Sequence, residues 1–234
     1  MSGITTIGFD ADDTLWHNER FFKETEGRFA DLLADHADRD AVLDALLATE
    51  RRNLALYGYG IKGFVLSMIE TAAELAGGEA PPALVSEVVT MGRAMLRHPV
   101  DLLPHVETTL DALAGYRLVV VTKGDLFDQE RKLEASGLRE RFEAVEIVSE
   151  KTPATYARVF ARHGEGAHRS VMVGNSLRSD ILPALEAGSW GIHVPHDLLF
   201  ALEHAEPPDG HERFHVAADL SAVPGLVERI GQRG

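Results

Sequence analysis

Two carboxylates and a hydroxyl alternate in Asp10-Ala11-Asp12-Asp13-Thr14, directly after the apolar run ITTIGF at residues 4–9. Polar groups follow three later apolar runs in the same way. Thr122-Lys123-Gly124 follows YRLVVV, Ser149-Glu150-Lys151 follows AVEIV, and Gly174-Asn175-Ser176 follows the run at 169–173, with Asp180 one helical turn further. Carboxylates packed at one strand end repel one another unless a cation sits among them. Brought together, the four segments supply an anionic nucleophile, a divalent-cation site and donors for equatorial oxygens, which is the equipment of phosphoryl transfer. Each segment alone has a plain structural reading. Lys151 is then a solvated charge, Thr122 a strand-end residue, Asn175-Ser176 a helix N-cap and Asp180 a first-turn carboxylate favoured by the helix dipole. Recurrence at four successive strand ends favours the chemical reading.

The elements that must position these groups are legible from periodicity. Strand-like runs at 4–9, 116–121, 144–148, 169–173, 190–194 and 213–217 alternate with helix-like segments at 105–114, 126–136, 153–163, 177–187 and 220–230. That alternation predicts a parallel sheet covered on both faces, with ligands at the carboxyl ends of its strands. Thr152-Pro153 predicts the cap and first position of one helix, and Gly137 and Gly188 the ends of two others. From about residue 17 to 97 strand signals vanish. Segments near 19–35, 40–56, 61–77 and 82–97 are helical in pattern, and Ile61, Phe64, Val65, Met68, Ile69, Ala72, Leu75 and Ala76 share one face of the third. The first strand lacks a crossover helix of its own nearby, so an all-helical block interrupts an α/β domain.

Composition narrows the partners. The chain has 234 residues, 23 Lys and Arg against 37 Asp and Glu, a net charge of −14 and no cysteine. Disulfide scaffolds, thiol catalysis and Cys-ligated metals are excluded. The negative field disfavours nucleic acid polymers and anionic lipid. No run reaches the ~18 apolar residues of a membrane span, and the N-terminus lacks the basic region and apolar length of a signal peptide. A soluble, cytoplasmic protein is expected, monomer or homodimer.

GFDADDTL, VVVTKG, SEKTP and MVGNSLRSD resemble, in that order, motifs one to four of the haloacid dehalogenase superfamily, with the helical insertion between the first and second. The resemblance spans the chain. It implies a Rossmann-like core from residues 1–15 and 99–234 and a helical cap from 16–98, with hinges near Leu15–His17 and His98–Leu103. It implies that Asp10 is the nucleophile, forming an aspartyl-phosphate, and that Asp12 is the general acid and then base. Thr122 and Lys151 complete the catalytic set, with Ala11, Lys123 and Gly124 around the phosphoryl group. Mg2+ would lie among Asp10, Asp12 through its carbonyl, Asn175 and Asp180. The fourth motif usually opens Gly-Asp, so Asn175 is a departure that removes one charge from the metal loop.

The implied function is hydrolysis of a small phosphomonoester. Halide departs without a proton, whereas an alkoxide needs an acid, and Asp12 stands where dehalogenases lack one. A phosphomutase, a dehalogenase and an idle binding relative are the alternatives. A receiver-type signalling domain is disfavoured, because its acceptor Asp lies deeper in a short chain without an insertion. Substrate choice is expected from the cap and its entry, with Trp16, His17, Tyr57, Tyr59, Lys62 and Arg178 as candidate contacts. His193 and His196 read as structural histidines rather than a metal pair.

Overall fold

The computed structural model describes residues 3–233. Its sheet contains β1 (Thr6–Phe9), β2 (Arg117–Lys123), β3 (Ala144–Val148), β4 (Ser170–Gly174), β5 (Trp190–His193) and β6 (Phe214–Val216). All pairings are parallel, in the order β3-β2-β1-β4-β5-β6. This is a Rossmann-like α/β sheet, and the strand order reverses between β1 and β4, the position where such sheets hold ligands.

The central strands are almost continuously apolar because both faces are covered. Leu118 and Val120 of β2 join Ile7, Phe9, Val171 and Val173 in one core. Their alternate neighbours Val119 and Val121 join Met172 on the other face. α5 (Val106–Ala112) and α9 (Val223–Arg233) close the first face; α7 (Pro153–His163) and α8 (Leu182–Glu186) close the second. Gly8 is needed within β1, since a Cβ there would press on Met172 Sδ at 3.0 Å and the Phe160 ring at 3.2 Å.

Four helices, α1 (Glu19–Leu32), α2 (Arg39–Tyr57), α3 (Ile61–Leu75) and α4 (Pro82–Arg97), fill the interval between β1 and α5. Their core gathers Phe29, Leu33, Val42, Leu46, Phe64, Met68, Val88 and Met91. Ile61, Phe64, Met68 and Ala72 form the buried stripe that the sequence period predicts for α3. Gly92 permits a close approach of α4 to α3, because a Cβ there would collide with Val65. The chain divides into two compact units. A sheet unit runs through Glu19 and takes in Val100–Lys123 and everything from Glu130 onward; a helical unit comprises Arg20–Pro99 with Gly124–Gln129. Among the described residues no helix is long and apolar enough to cross a membrane.

One predicted helix differs in form. The segment 177–187 opens as a π turn at Leu177–Ile181, in which Ile181 N–H reaches Ser176 O at 3.2 Å, before α8 continues it. Pro183 has no N–H to give Ser179 O, and the buried Tyr156 hydroxyl donates to that carbonyl instead, at 3.0 Å. The widened turn carries Asp180.

Candidate active site

The register sets Phe9 beside both Val120 and Val173, so the chain leaves β1 at Asp10 where β4 ends in Gly174. Asp10 N–H donates to Val173 O at 2.9 Å, which fixes its backbone at the sheet end. A Cβ on residue 174 would collide with the Asp180 carboxylate, so Gly174 is what lets that side chain lie against the β4 terminus. Lys151 stands immediately before the N-cap of α7, where Thr152 Oγ1 accepts from Thr155 N–H at 3.1 Å, as the Thr-Pro pair predicts.

These placements converge on one buried polar cluster. Lys151 Nζ donates to Asp10 Oδ1 and, at 2.6 Å, to Asp180 Oδ1. Asp180 Oδ2 accepts from Ser176 N–H at 2.9 Å, tying the carboxylate to its own loop. Thr14 Oγ1 lies 3.2 Å from Asp10 Oδ2 and 3.3 Å from Asn175 Oδ1, and accepts from Asn175 N–H at 3.1 Å. His193 Nε2–H donates to Asn175 O at 2.9 Å, so this histidine braces the loop after β4. Burial pushes the Asp10 carboxyl up to about 7, the Asp180 charge adds to it, and Lys151 opposes. Burial also works against the Lys151 ammonium, but the flanking Asp10 and Asp180 outweigh it and hold its pKa above the ordinary lysine value.

Asp12 points elsewhere. Its Oδ1 accepts from Trp16 Nε1–H at 2.7 Å and from Lys132 Nζ at 2.6 Å. Trp16 is 1% exposed and part of the sheet unit's core, so its expected role as a substrate contact gives way to one of holding Asp12. Asp13, in the left-handed region at φ 58°, caps α1 by accepting from Asn18 and Glu19 N–H at 2.8 and 2.9 Å. Asp13, His17 and His196 each bring one ligand atom within 4.8 Å of the others, a mixed nitrogen and oxygen set apart from the Asp10 cluster's oxygens.

The remaining sequence candidates fall at the end of β2, in the turn after β4 and in the helical unit. Thr122 is buried at the end of β2. Lys123 Nζ donates to Glu203 Oε1 at 2.6 Å and to Ser179 Oγ at 2.8 Å. Arg178 donates to Leu202 O at 2.8 Å on the surface. In the helical unit, Tyr57 donates to Glu70 Oε1 at 2.7 Å and Lys62 pairs with Asp125 at 2.9 Å, Gly124 preceding that aspartate. Tyr59 is half-buried at the Gly-rich turn before α3. Lys132 and Glu203 carry no motif or spacing in the sequence; only the folded chain brings each to its partner.

A family model for haloacid dehalogenase-like hydrolases matches residues 4–188. The chain belongs to the haloacid dehalogenase-like hydrolases. A glyceraldehyde 3-phosphate phosphatase from Methanothermobacter thermautotrophicus is 30% identical over 219 residues, covering 87% of this chain and 91% of its own. Among solved structures, a haloacid dehalogenase-like family hydrolase from Xanthomonas campestris is 42% identical with a TM-score of 0.86, over 99% of this chain and 93% of the other. An L-2-haloacid dehalogenase from Xanthobacter autotrophicus shares the fold at a TM-score of 0.63 and 17% identity, over 96% and 98% of the two chains. This haloacid dehalogenase-like hydrolase is therefore an enzyme whose relatives include phosphatases.

Proposed function

We propose that this hydrolase cleaves a small phosphomonoester through Asp10. The observation that carries the reading is the second carboxylate: Asp12 stands two residues after Asp10, its Oδ1 accepting from Lys132 Nζ. A departing alkoxide requires a proton and a departing halide does not, so Asp12 favours ester hydrolysis over dehalogenation. The phosphatase relative supports the same choice.

Asp10 attacks phosphorus as the bond to the ester oxygen breaks, and Asp12 delivers its proton to that oxygen. Asp12, now a carboxylate, takes a proton from water; the hydroxide oxygen attacks phosphorus, releasing inorganic phosphate and restoring Asp10. Lys151 offsets charge on Asp10 and on the phosphoryl group, and Asp180 keeps the ammonium in place. Thr122 donates to a phosphoryl oxygen, with Ala11 supplying a backbone N–H group.

The donor set suits Mg2+, a hard cation that takes oxygen ligands. Asp10 Oδ2 and Asn175 Oδ1 gather around the single Thr14 hydroxyl, and the cluster's charge of two carboxylates against one ammonium leaves a negative excess in a buried place. Asp10, Asn175 and the Asp12 carbonyl would hold the ion, with Asp180 contributing the second negative charge. When bound, it supplies Lewis-acid polarisation of the phosphoryl oxygens. Substrate choice is assigned to the helical unit, because the cluster addresses only the phosphoryl group. A phosphomonoester screen with Mg2+ tests the reading, with Asp10→Asn as the control. Turnover of at least one ester, lost in Asp10→Asn, is expected; turnover of a haloacid and of no ester would overturn it.

A further inference from the structure

Asp12 is not held by its neighbours in the motif alone. Residues 11–16 close into a tight loop, with Leu15 N–H on Ala11 O at 2.8 Å and Asp13 N–H on Trp16 O at 2.7 Å. That loop turns the Trp16 indole back on Asp12, four residues earlier. The second donor comes from α6 (Leu126–Ala135), 120 residues on: Lys132 Nζ reaches Asp12 Oδ1 and also Asn18 Oδ1 at 3.2 Å. Lys132 is 8% exposed, so its ammonium is committed to this place at a cost in desolvation. Indole and ammonium both land on the same carboxylate oxygen, which fixes the torsion of a side chain that is itself 23% exposed.

We propose that Lys132, together with Trp16, is a positioning residue for Asp12, setting the direction in which Asp12 exchanges its proton with the leaving oxygen. The proposal rests on the reading of Asp12 as the general acid. A merely structural Lys132 would satisfy its own charge on Asp12, and its loss would slow all substrates alike. A positioning Lys132 matters in proportion to how much help the leaving group needs. An alkoxide depends on the acid, whereas a nitrophenolate departs with little assistance, so the two ester types separate the cases.

The experiment compares kcat of the full chain with Mg2+ on a primary alkyl phosphate that the wild type hydrolyses and on nitrophenyl phosphate. Lys132→Met, which keeps the aliphatic stem, is expected to lower the alkyl rate about 30-fold and the nitrophenyl rate less than about 3-fold. Lys132→Arg restores most of the alkyl rate, since it keeps a buried N–H donor and the charge. Trp16→Phe keeps the ring packing, removes the indole N–H, and gives the same selective pattern at smaller size. In an Asp12→Asn background, Lys132→Met changes the alkyl rate less than about 2-fold, because the two act as one unit. Equal losses on both esters, or full additivity with Asp12→Asn, would overturn the proposal. If Asp12→Asn itself spares the alkyl ester while Asp10→Asn does not, the acid role of Asp12 falls, and the proposal with it, though Asp10 chemistry stands.

Discussion

Among the described residues two carboxylates are pushed up to about 7, one in each unit: Asp10 in the sheet unit and Glu50 in the helical unit. Burial is the leading cause in both, and a second carboxylate adds in both, Asp180 beside Asp10 and Glu26 beside Glu50. Their surroundings differ. Asp10 is hydrogen-bonded by the Lys151 ammonium and the Thr14 hydroxyl, with Asn175 Oδ1 on the same hydroxyl. Glu50 is opposed only by Lys23, an ammonium that itself pairs with Glu26 at 2.9 Å on the surface. A raised carboxylate is therefore not the mark of a reactive site. What sets Asp10 apart is the convergence of an ammonium, a hydroxyl and further hard oxygens on it, the ground of the proposed role.

The largest expected effect comes from removing the ammonium that distinguishes the two places. Lys151→Met leaves Asp10 and Asp180 facing each other in a buried cluster, at a cost of about 3–5 kcal/mol, seen as a fall in Tm near neutral pH without metal. An unchanged Tm would show that Lys151 is not what keeps the pair together.

Next is the loop after β4, proposed to hold Mg2+. Asn175→Asp adds a charged oxygen beside Asp10 and is expected to tighten Mg2+ about tenfold, measured by calorimetric titration. Unchanged affinity would remove residue 175 from the metal site. A smaller effect comes from neutralising Asp10. Its folded pKa lies above its unfolded value of 3.8, so the folded state holds the extra proton and stability falls as pH rises from about 4 to about 7. In EDTA, Asp10→Asn should therefore raise Tm above pH 7 by on the order of 1–2 kcal/mol of stability, with the gain vanishing near pH 4. Added Mg2+ is expected to stabilise the wild type's ionised Asp10 and to close the gap. Glu50→Gln gives the smallest change, a gain of about 1 kcal/mol above pH 7 that shrinks toward pH 4.5. Turnover and Mg2+ response stay as in the wild type; a loss of activity would break the contrast between the two units.

The strand ends were legible because buried parallel strands write themselves as apolar runs and because the candidate site residues follow them closely. Lys151 sits three residues past β3, and Asp180 six past β4 on the widened turn, so strand placement and that turn together carry them to Asp10. Residues that reach Asp12 from mid-helix were not legible. Lys132 lies within the charged run Glu130-Arg131-Lys132, which reads as an ordinary solvated face, and only the packing of α6 turns it toward Asp12. Trp16 looked like a cleft residue because it follows the motif; the closed loop at 11–16 folds it inward instead. The ion pair of Lys123 with Glu203, 80 residues later, likewise left no mark in the sequence.

The central claim is that Asp10 itself receives the phosphoryl group. Enzyme mixed with a phosphomonoester and Mg2+, quenched in acid during turnover and digested, should yield the peptide containing Asp10 with one added phosphoryl group, and Asp10→Asn should yield none. Sustained ester turnover with that peptide unmodified, or with the adduct on another residue, would contradict the account.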